Sequence, residues 1–302
     1  MAANISLRPA EELVACLLEL PDNPDRKHDV AALLHRQQLV RLWKIQPGSR
    51  VLEIGPGQGD LTVVLADAVG PQGLVVGVDP APLDEGTPTY RSARAHVLAS
   101  AVGGQIEFVP AYPVAYLTAA AARGAKFDFV VLGHCIWYFS HPTMLPDMLA
   151  QVRHMGTGAV LIAEYSLSTT HSNAFPHLLA ALAVNALESF RDETSKRNIR
   201  CVMTPLQIIT IAEQQGFVLV KEDVVVPAEA QRDGWREVLM ALKGKSFARH
   251  VEEVDVDSKV KTMLLGMRDA LAASVAVSGL DSIRNMDVWV ARFETVDITA
   301  MY

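Results

Sequence analysis

Three glycines at alternate positions follow a β-branched run in Val51-Leu52-Glu53-Ile54-Gly55-Pro56-Gly57-Gln58-Gly59-Asp60-Leu61-Thr62. Glycine at a strand-to-helix turn adopts backbone angles closed to other residues and lets a ligand approach the main chain. The helix that follows offers free N–H groups and the positive end of its dipole. The chemistry predicted is capture of a polar, flat ligand; a tight turn without a ligand is the plainer alternative. A dinucleotide fingerprint, GxGxxG, would need glycine where Asp60 stands, and no Gly-Lys-Ser/Thr follows as a P-loop requires. Twenty positions after Gly59, Leu74-Val75-Val76-Gly77-Val78-Asp79-Pro80 ends a second apolar run on a carboxylate. Asp79 could bind a ligand there, or start a turn with Pro80.

Further candidates sit where later apolar runs end. Phe127–Leu132 leads into Gly133-His134-Cys135-Ile136-Trp137-Tyr138-Phe139, and Ala159–Ala163 leads into Glu164. His134 is a possible general base, or a hydrogen-bonded structural histidine. His141, seven positions on, is a second possible base, and the pair lacks the further ligands that a metal site needs. Trp137 and Tyr138 could wall a substrate pocket or pack in the core, and Glu164 could be a site carboxylate or a loop cap. His28, His35 and Arg36 lie on a helical stretch preceding the first apolar run, with His35 a candidate substrate contact. The mixed-sign run Arg191–Arg197 reads as an exposed helix end.

The elements that must position these residues form a βαβ series. Predicted strands are Arg50–Ile54, Leu74–Asp79, Gln105–Val109, Phe127–Leu132 and Ala159–Ala163, followed by Phe217–Val226 and Asp287–Phe293. Near-continuous apolar strands such as Phe129-Val130-Val131-Leu132 indicate burial on both faces, hence a doubly wound α/β sheet. Helices are predicted at Pro9–Leu20, Asp29–Ile45, Phe175–Phe190 and Pro205–Gln215. The expected organisation is a helical cap over 1–46 and an α/β domain over 47–302, with helical insertions at about 168–204 and 228–281.

Half of the 302 residues are apolar and the formal charge is −7, so a large core is affordable and no basic footprint for nucleic acid is present. No apolar run reaches the roughly 18 to 20 residues that span a bilayer. Glu11 and Glu12 stand where a secretory signal would be basic, and Cys16, Cys135 and Cys201 form no CxxC or disulfide pattern. A cytoplasmic protein, free of nucleic acid and membrane, is expected, with a homo-oligomer left open.

The glycine turn, with Glu53 two positions before its first glycine and Asp79 closing the next strand, resembles the class I S-adenosylmethionine-dependent methyltransferases. The resemblance covers roughly residues 30–165, 205–226 and 284–295. It implies a Rossmann-like, mostly parallel seven-stranded sheet whose last strand runs antiparallel. It also implies S-adenosylmethionine as cofactor, held by Glu53, Gly55, Gly57 and Gly59, with Asp79 and neighbouring Pro80 at the ribose hydroxyls and His134 near the methionine moiety. After the third strand the family often has an acidic residue for the adenine amino group. Here the chain reads Val109-Pro110-Ala111-Tyr112-Pro113, which leaves Tyr112 or main-chain groups at that position. The acidic pI near 5.7 and the helical cap favour the small-molecule branch, including natural-product enzymes of secondary metabolism. The expected reaction is methyl transfer, to O or N, in a capped apolar pocket. Two alternatives stay open: a fold relative that binds the cofactor without transferring methyl, such as a pericyclase or a binding module, and, opposed by Asp60, a nicotinamide-dependent oxidoreductase.

Overall fold

A computed structural model describes residues 6–19, 26–192, 195, 197–243 and 246–295. Among them the strands β1 (Arg50–Ile54), β2 (Leu74–Val78), β3 (Ile106–Val109), β4 (Phe129–Gly133), β5 (Ala159–Tyr165), β6 (Phe217–Val225) and β7 (Val288–Thr295) form one seven-stranded sheet in the order β3-β2-β1-β4-β5-β7-β6. β1 pairs in parallel with β2 and β4, β2 with β3, and β4 with β5. β7 runs antiparallel to both β5 and β6. The seven strands fall where the apolar runs predict them.

Alternation along the strands divides the core in two. On one face Val51, Val75, Val131 and Leu161 pack with residues of α2 (Lys27–Trp43), α3 (Asp60–Val69) and α7 (Phe175–Glu188). On the other, Leu52, Val76, Val130 and Ile162 pack with α5 (Pro113–Ala122), α6 (Met144–Met155) and α8 (Pro205–Gln214). Both faces are therefore covered, as continuous apolar strands require. By the same alternation Glu53, between Leu52 and Ile54, points to the α3 side, which places a carboxylate inside an apolar layer.

The chain passes from β1 outward through β2 and β3, by way of α4 (Tyr90–Leu98), then returns to β4 on the other side of β1. This reversal opens a crevice outside the carboxyl ends of β1 and β4, where open α/β sheets hold ligands. The glycine turn leaves β1 there, and Gly133-His134 leaves β4.

The N-terminal segment is shorter as a helix than its periodicity predicts. α1 (Ala10–Leu13) passes into a 3₁₀ turn at Val14–Cys16, and the remainder of the Pro9–Leu20 expectation reaches residue 20, outside the described residues, as do three positions of the Arg191–Arg197 run. α2 ends at Lys44 in the left-handed region and is held to the sheet by Arg292, whose Nη1 donates to the Trp43 carbonyl at 3.2 Å. The later helical segment folds as α9 (Asp233–Leu242), α10 (Ser246–Glu253) and α11 (Ser258–Ser278). Phe247 and Val251 of α10 and Leu264 of α11 meet Ala183 and Leu187 of α7 in a separate small core.

Candidate active site

Gly55, Gly57 and Gly59 all take positive φ (+69°, +55° and +101°), so the turn from β1 into α3 uses the freedom that only glycine has without strain. Their surroundings differ. A Cβ on Gly55 would lie 2.9 Å from the Cβ of Cys135, and one on Gly59 would lie 3.3 Å from Val97, whereas one on Gly57 would meet nothing within 4 Å. Packing thus constrains two of the glycines, and the open space over Gly57 is part of two cavities that it lines.

Two cavities meet at this turn. The smaller, of about 150 Å³, is lined by Gly55, Gly57, His134, Tyr138 and Tyr165 among others. The larger, of about 320 Å³, runs from Gly57 and Gln58 past Tyr90 to Leu17 and Leu18 of the N-terminal segment and Arg232 and Arg236 at the start of α9. Arg36, Asp60 and Asp233 line both. Arg36 Nε binds Asp60 Oδ2 at 3.0 Å. Burial works to raise the Asp60 carboxyl, but the Arg36 guanidinium and the Leu61 N–H outweigh it and hold it below the usual range. An acidic residue in the first turn of α3 also meets the positive end of the helix dipole.

Glu53 lies under the turn, 2% exposed, accepting the Thr62 hydroxyl at 2.6 Å. Burial pushes its carboxyl up to about 8, against the lowering effect of the Thr62 hydrogen bond. Asp79 at the end of β2 accepts the Ala81 N–H at 2.8 Å, the Gly57 N–H at 3.3 Å and the Arg94 Nη2 at 2.8 Å. Neighbouring Pro80 is exposed.

At the end of β4, His134 takes a positive φ of +54°. Its Nε2 is 3.1 Å from the Nε2 of buried His35 on α2, and its Nδ1 is 3.7 Å from Glu164 Oε1. The Glu164 contact is beyond hydrogen-bond range and Nδ1 of both rings has no hydrogen-bond partner, so the polar link between the rings is the Nε2 pair, in which one nitrogen donates and the other accepts. Burial, followed by Arg36 and His134, drives the His35 pKa well below 6.5, so that ring stays neutral. The His134 ring packs 4.8 Å from that of Tyr165, which meets His177 edge-on at 4.7 Å. His177 accepts the Met286 N–H at Nδ1 and donates from Nε2 to Glu237 of α9 at 3.0 Å, which ties α9 to the site.

The predicted residues are therefore not all together. Gly55, Gly57, His134 and Tyr138 line the cavities, whereas Glu53, Gly59, Asp79, His35 and Glu164 stand behind that lining, Glu164 accepting the N–H groups of Ile136, Trp137 and Tyr165. Trp137 is 2% exposed, donates from Nε1 to the Met203 carbonyl at 3.1 Å and lines neither cavity. Its apolar ring is taken up by the core. Tyr112 is 71% exposed at the N-terminus of α5, away from both cavities. His141 is exposed, accepts the Thr143 N–H at Nδ1 in a local turn contact next to α6, and lines neither cavity. Sequence reasoning passed over Arg94, Tyr165 and Asp233; only Tyr165, at the end of a predicted strand beside Glu164, carried a positional signal.

A methyltransferase-domain family model matches residues 25–222, well over half of the chain. The chain belongs to the class I S-adenosylmethionine-dependent methyltransferases. It is 29% identical over 182 residues to the ubiquinone/menaquinone biosynthesis C-methyltransferase UbiE of Pseudomonas fluorescens (strain Pf0-1), covering 55% of this chain and 67% of that protein. A demethylmenaquinone methyltransferase of Bacillus cereus (strain B4264) is 48% identical over 44 residues, 15% of this chain and 19% of its own. In fold, the chain is similar to a cyclopropane-fatty-acyl-phospholipid synthase-like protein from Lactobacillus casei, with a TM-score of 0.79 at 24% identity, over 94% of this chain and 98% of that one.

This methyltransferase is an enzyme with S-adenosylmethionine as its cofactor. The residues present fit that group: the space over Gly57 is unfilled by protein, and Asp60 in the first turn of α3 lines the same cavities. No described helix is long and apolar enough to cross a membrane.

Proposed function

We propose that this methyltransferase acts on a small-molecule acceptor that loses a proton from O or N as it is methylated, with His134 as the base. The carrying observation is the position of His134: it lines the cavity shared with Gly55 and Gly57, with a carboxylate behind one ring nitrogen and a neutral histidine at the other. The cofactor supplies an electrophilic methyl on a sulfonium.

The chain's own residues then have two tasks. The first is orientation, since a bimolecular displacement gains most from holding its two reactants in near-attack geometry in a dry site. Tyr138 and Tyr165 give the small cavity aromatic walls, and aromatic faces also suit a cationic neighbour. The second is the proton. An acceptor O–H or N–H that takes the place of His35 at His134 Nε2 delivers its proton there, and the imidazolium so formed lies 3.7 Å from Glu164. General-base help of this kind is worth about 10²–10⁴ in rate. The names of the UbiE relatives specify transfer to carbon, which a deprotonated acceptor of the same kind would also support.

The test is incubation with S-adenosylmethionine and a panel of phenols, carboxylic acids and amines, read by product mass. A gain of one methylene unit, lost by about 10²–10⁴ in His134→Gln with S-adenosylhomocysteine affinity kept within about threefold, is the expected result. Cofactor binding with no mass gain on any acceptor class, or full turnover in His134→Gln across pH, would overturn it.

A further inference from the structure

Arg94 belongs to no motif of the sequence, yet its side chain is 4% exposed and ion-paired with Asp79, which is 11% exposed. It extends from α4 with its guanidinium carbon 5.2 Å from the centre of the Tyr90 ring and 5.3 Å from that of Phe108. Nε donates to the Gly57 carbonyl at 2.9 Å, and Nη2 donates to Asp79 Oδ2 at 2.8 Å. One rigid fork therefore ties the main chain of the glycine turn to the carboxylate that ends β2. A lysine ammonium, a point charge on a flexible stem, does not reproduce that double contact.

The fork also uses up part of Asp79. A carboxylate offers about four lone-pair sites, two on each oxygen. Oδ2 receives both the Gly57 N–H at 3.3 Å and the Arg94 Nη2 at 2.8 Å, and Oδ1 receives the Ala81 N–H at 2.8 Å. One site remains, on Oδ1. A vicinal diol gripped by both oxygens of one carboxylate would need a free site on each.

We propose that Arg94 is a positioning residue that makes the ribose contact single: Asp79 accepts one ribose hydroxyl at Oδ1 and does not read the other. The proposal rests on the assignment of Asp79 to the cofactor ribose. It is tested by calorimetric titration of the full chain, freed of cofactor, with S-adenosylhomocysteine and its 2′-deoxy and 3′-deoxy analogues. Wild type, Arg94→Met, Arg94→Lys and Asp79→Asn are compared.

In wild type, loss of one hydroxyl should weaken binding by about tenfold or more, in line with a hydrogen bond to a charged group, and loss of the other by less than about threefold. In Arg94→Met, with Oδ2 released, the two analogues should come within about threefold of each other, and Arg94→Lys should behave the same way. Equal losses for both analogues in wild type overturn the proposal even where Arg94→Met does not fold. An unchanged contrast in either folded Arg94 variant overturns it as well. An Asp79→Asn protein that separates the analogues as wild type does removes the ribose assignment itself. Because no turnover is measured, that failure is distinct from a failure of methyl transfer.

Discussion

Glu53→Gln should stabilise the cofactor-free protein, and by an amount that grows with pH. Glu53 is 2% exposed and its folded carboxyl titrates near 8 because burial penalises the ionised form. In the unfolded chain a glutamate titrates near about 4.3. Between these values the folded state keeps a proton that the unfolded state has released, so folding stability falls as pH rises, by about 1.4 kcal/mol per pH unit for this one group. Over the window from about pH 4.5 to 8 the loss sums to roughly 3–5 kcal/mol. Glutamine has the same shape and can still accept the Thr62 hydroxyl, but has no proton to lose. Urea denaturation of both proteins from pH 4.5 to 8.5 isolates the difference, since every other titrating group is common to the pair. The two should agree to within about 1 kcal/mol at the acid end, with the variant ahead by about 3 kcal/mol or more at the alkaline end. Parallel stability curves would show that Glu53 ionises as a solvated carboxylate does, and that the apolar layer beneath the glycine turn is wetter than its packing implies.

Three more outcomes are expected. His35→Gln should gain on wild type as pH falls below about 6.5 in the same urea assay, because a histidine with a depressed folded pKa resists the proton that the unfolded chain takes up. Gly57→Ala should cost only the strain of a positive φ, about 1–2 kcal/mol, yet weaken S-adenosylhomocysteine by about tenfold or more in a calorimetric titration, because its methyl group enters the open space. Gly55→Ala should add about 1–3 kcal/mol of overpacking against Cys135 and so melt well below Gly57→Ala, and equal melting temperatures for the two would contradict the assigned roles.

Much of the fold was legible because it depends on local signals that repeat. Most strands are short apolar runs between turn residues, although β6 carries Lys221, Glu222 and Asp223, and the one antiparallel strand followed from the family resemblance carried by two spaced motifs. The N-terminal helix was overestimated because its apolar spacing continues through Val14–Cys16, where the chain tightens into a 3₁₀ turn. The site was legible mostly where a residue ends a strand: Glu53, Asp79, His134 and Glu164 all do so or nearly do so, and strand ends meet at one edge of a parallel sheet, while His35 reaches His134 from α2. Trp137 and His141 lie further past the end of β4 and line neither cavity, Trp137 donating to the Met203 carbonyl in the core and His141 meeting Thr143 in a local turn.

What stayed hidden came from helices that reach back to the crevice from elsewhere in the chain. Arg94 and Asp233 carry no spacing signal relative to the glycine turn; α4 and α9 bring them in, and α9 is held by a histidine–glutamate bond between α7 and itself. The difference has a physical basis. A sheet fixes its strand ends by a hydrogen-bond ladder that sequence pattern predicts, whereas the rotation of a packed helix depends on three-dimensional contacts that no local pattern encodes. The strand ends around the glycine turn are therefore legible in the sequence, whereas Arg94 and Asp233, which α4 and α9 bring to the turn and the cavities, are not. On the proposed function, acceptor identity is accordingly to be sought first in Asp233, which lines both the cavity of His134 and the larger one, and then in Arg232 and Arg236, which line the larger one.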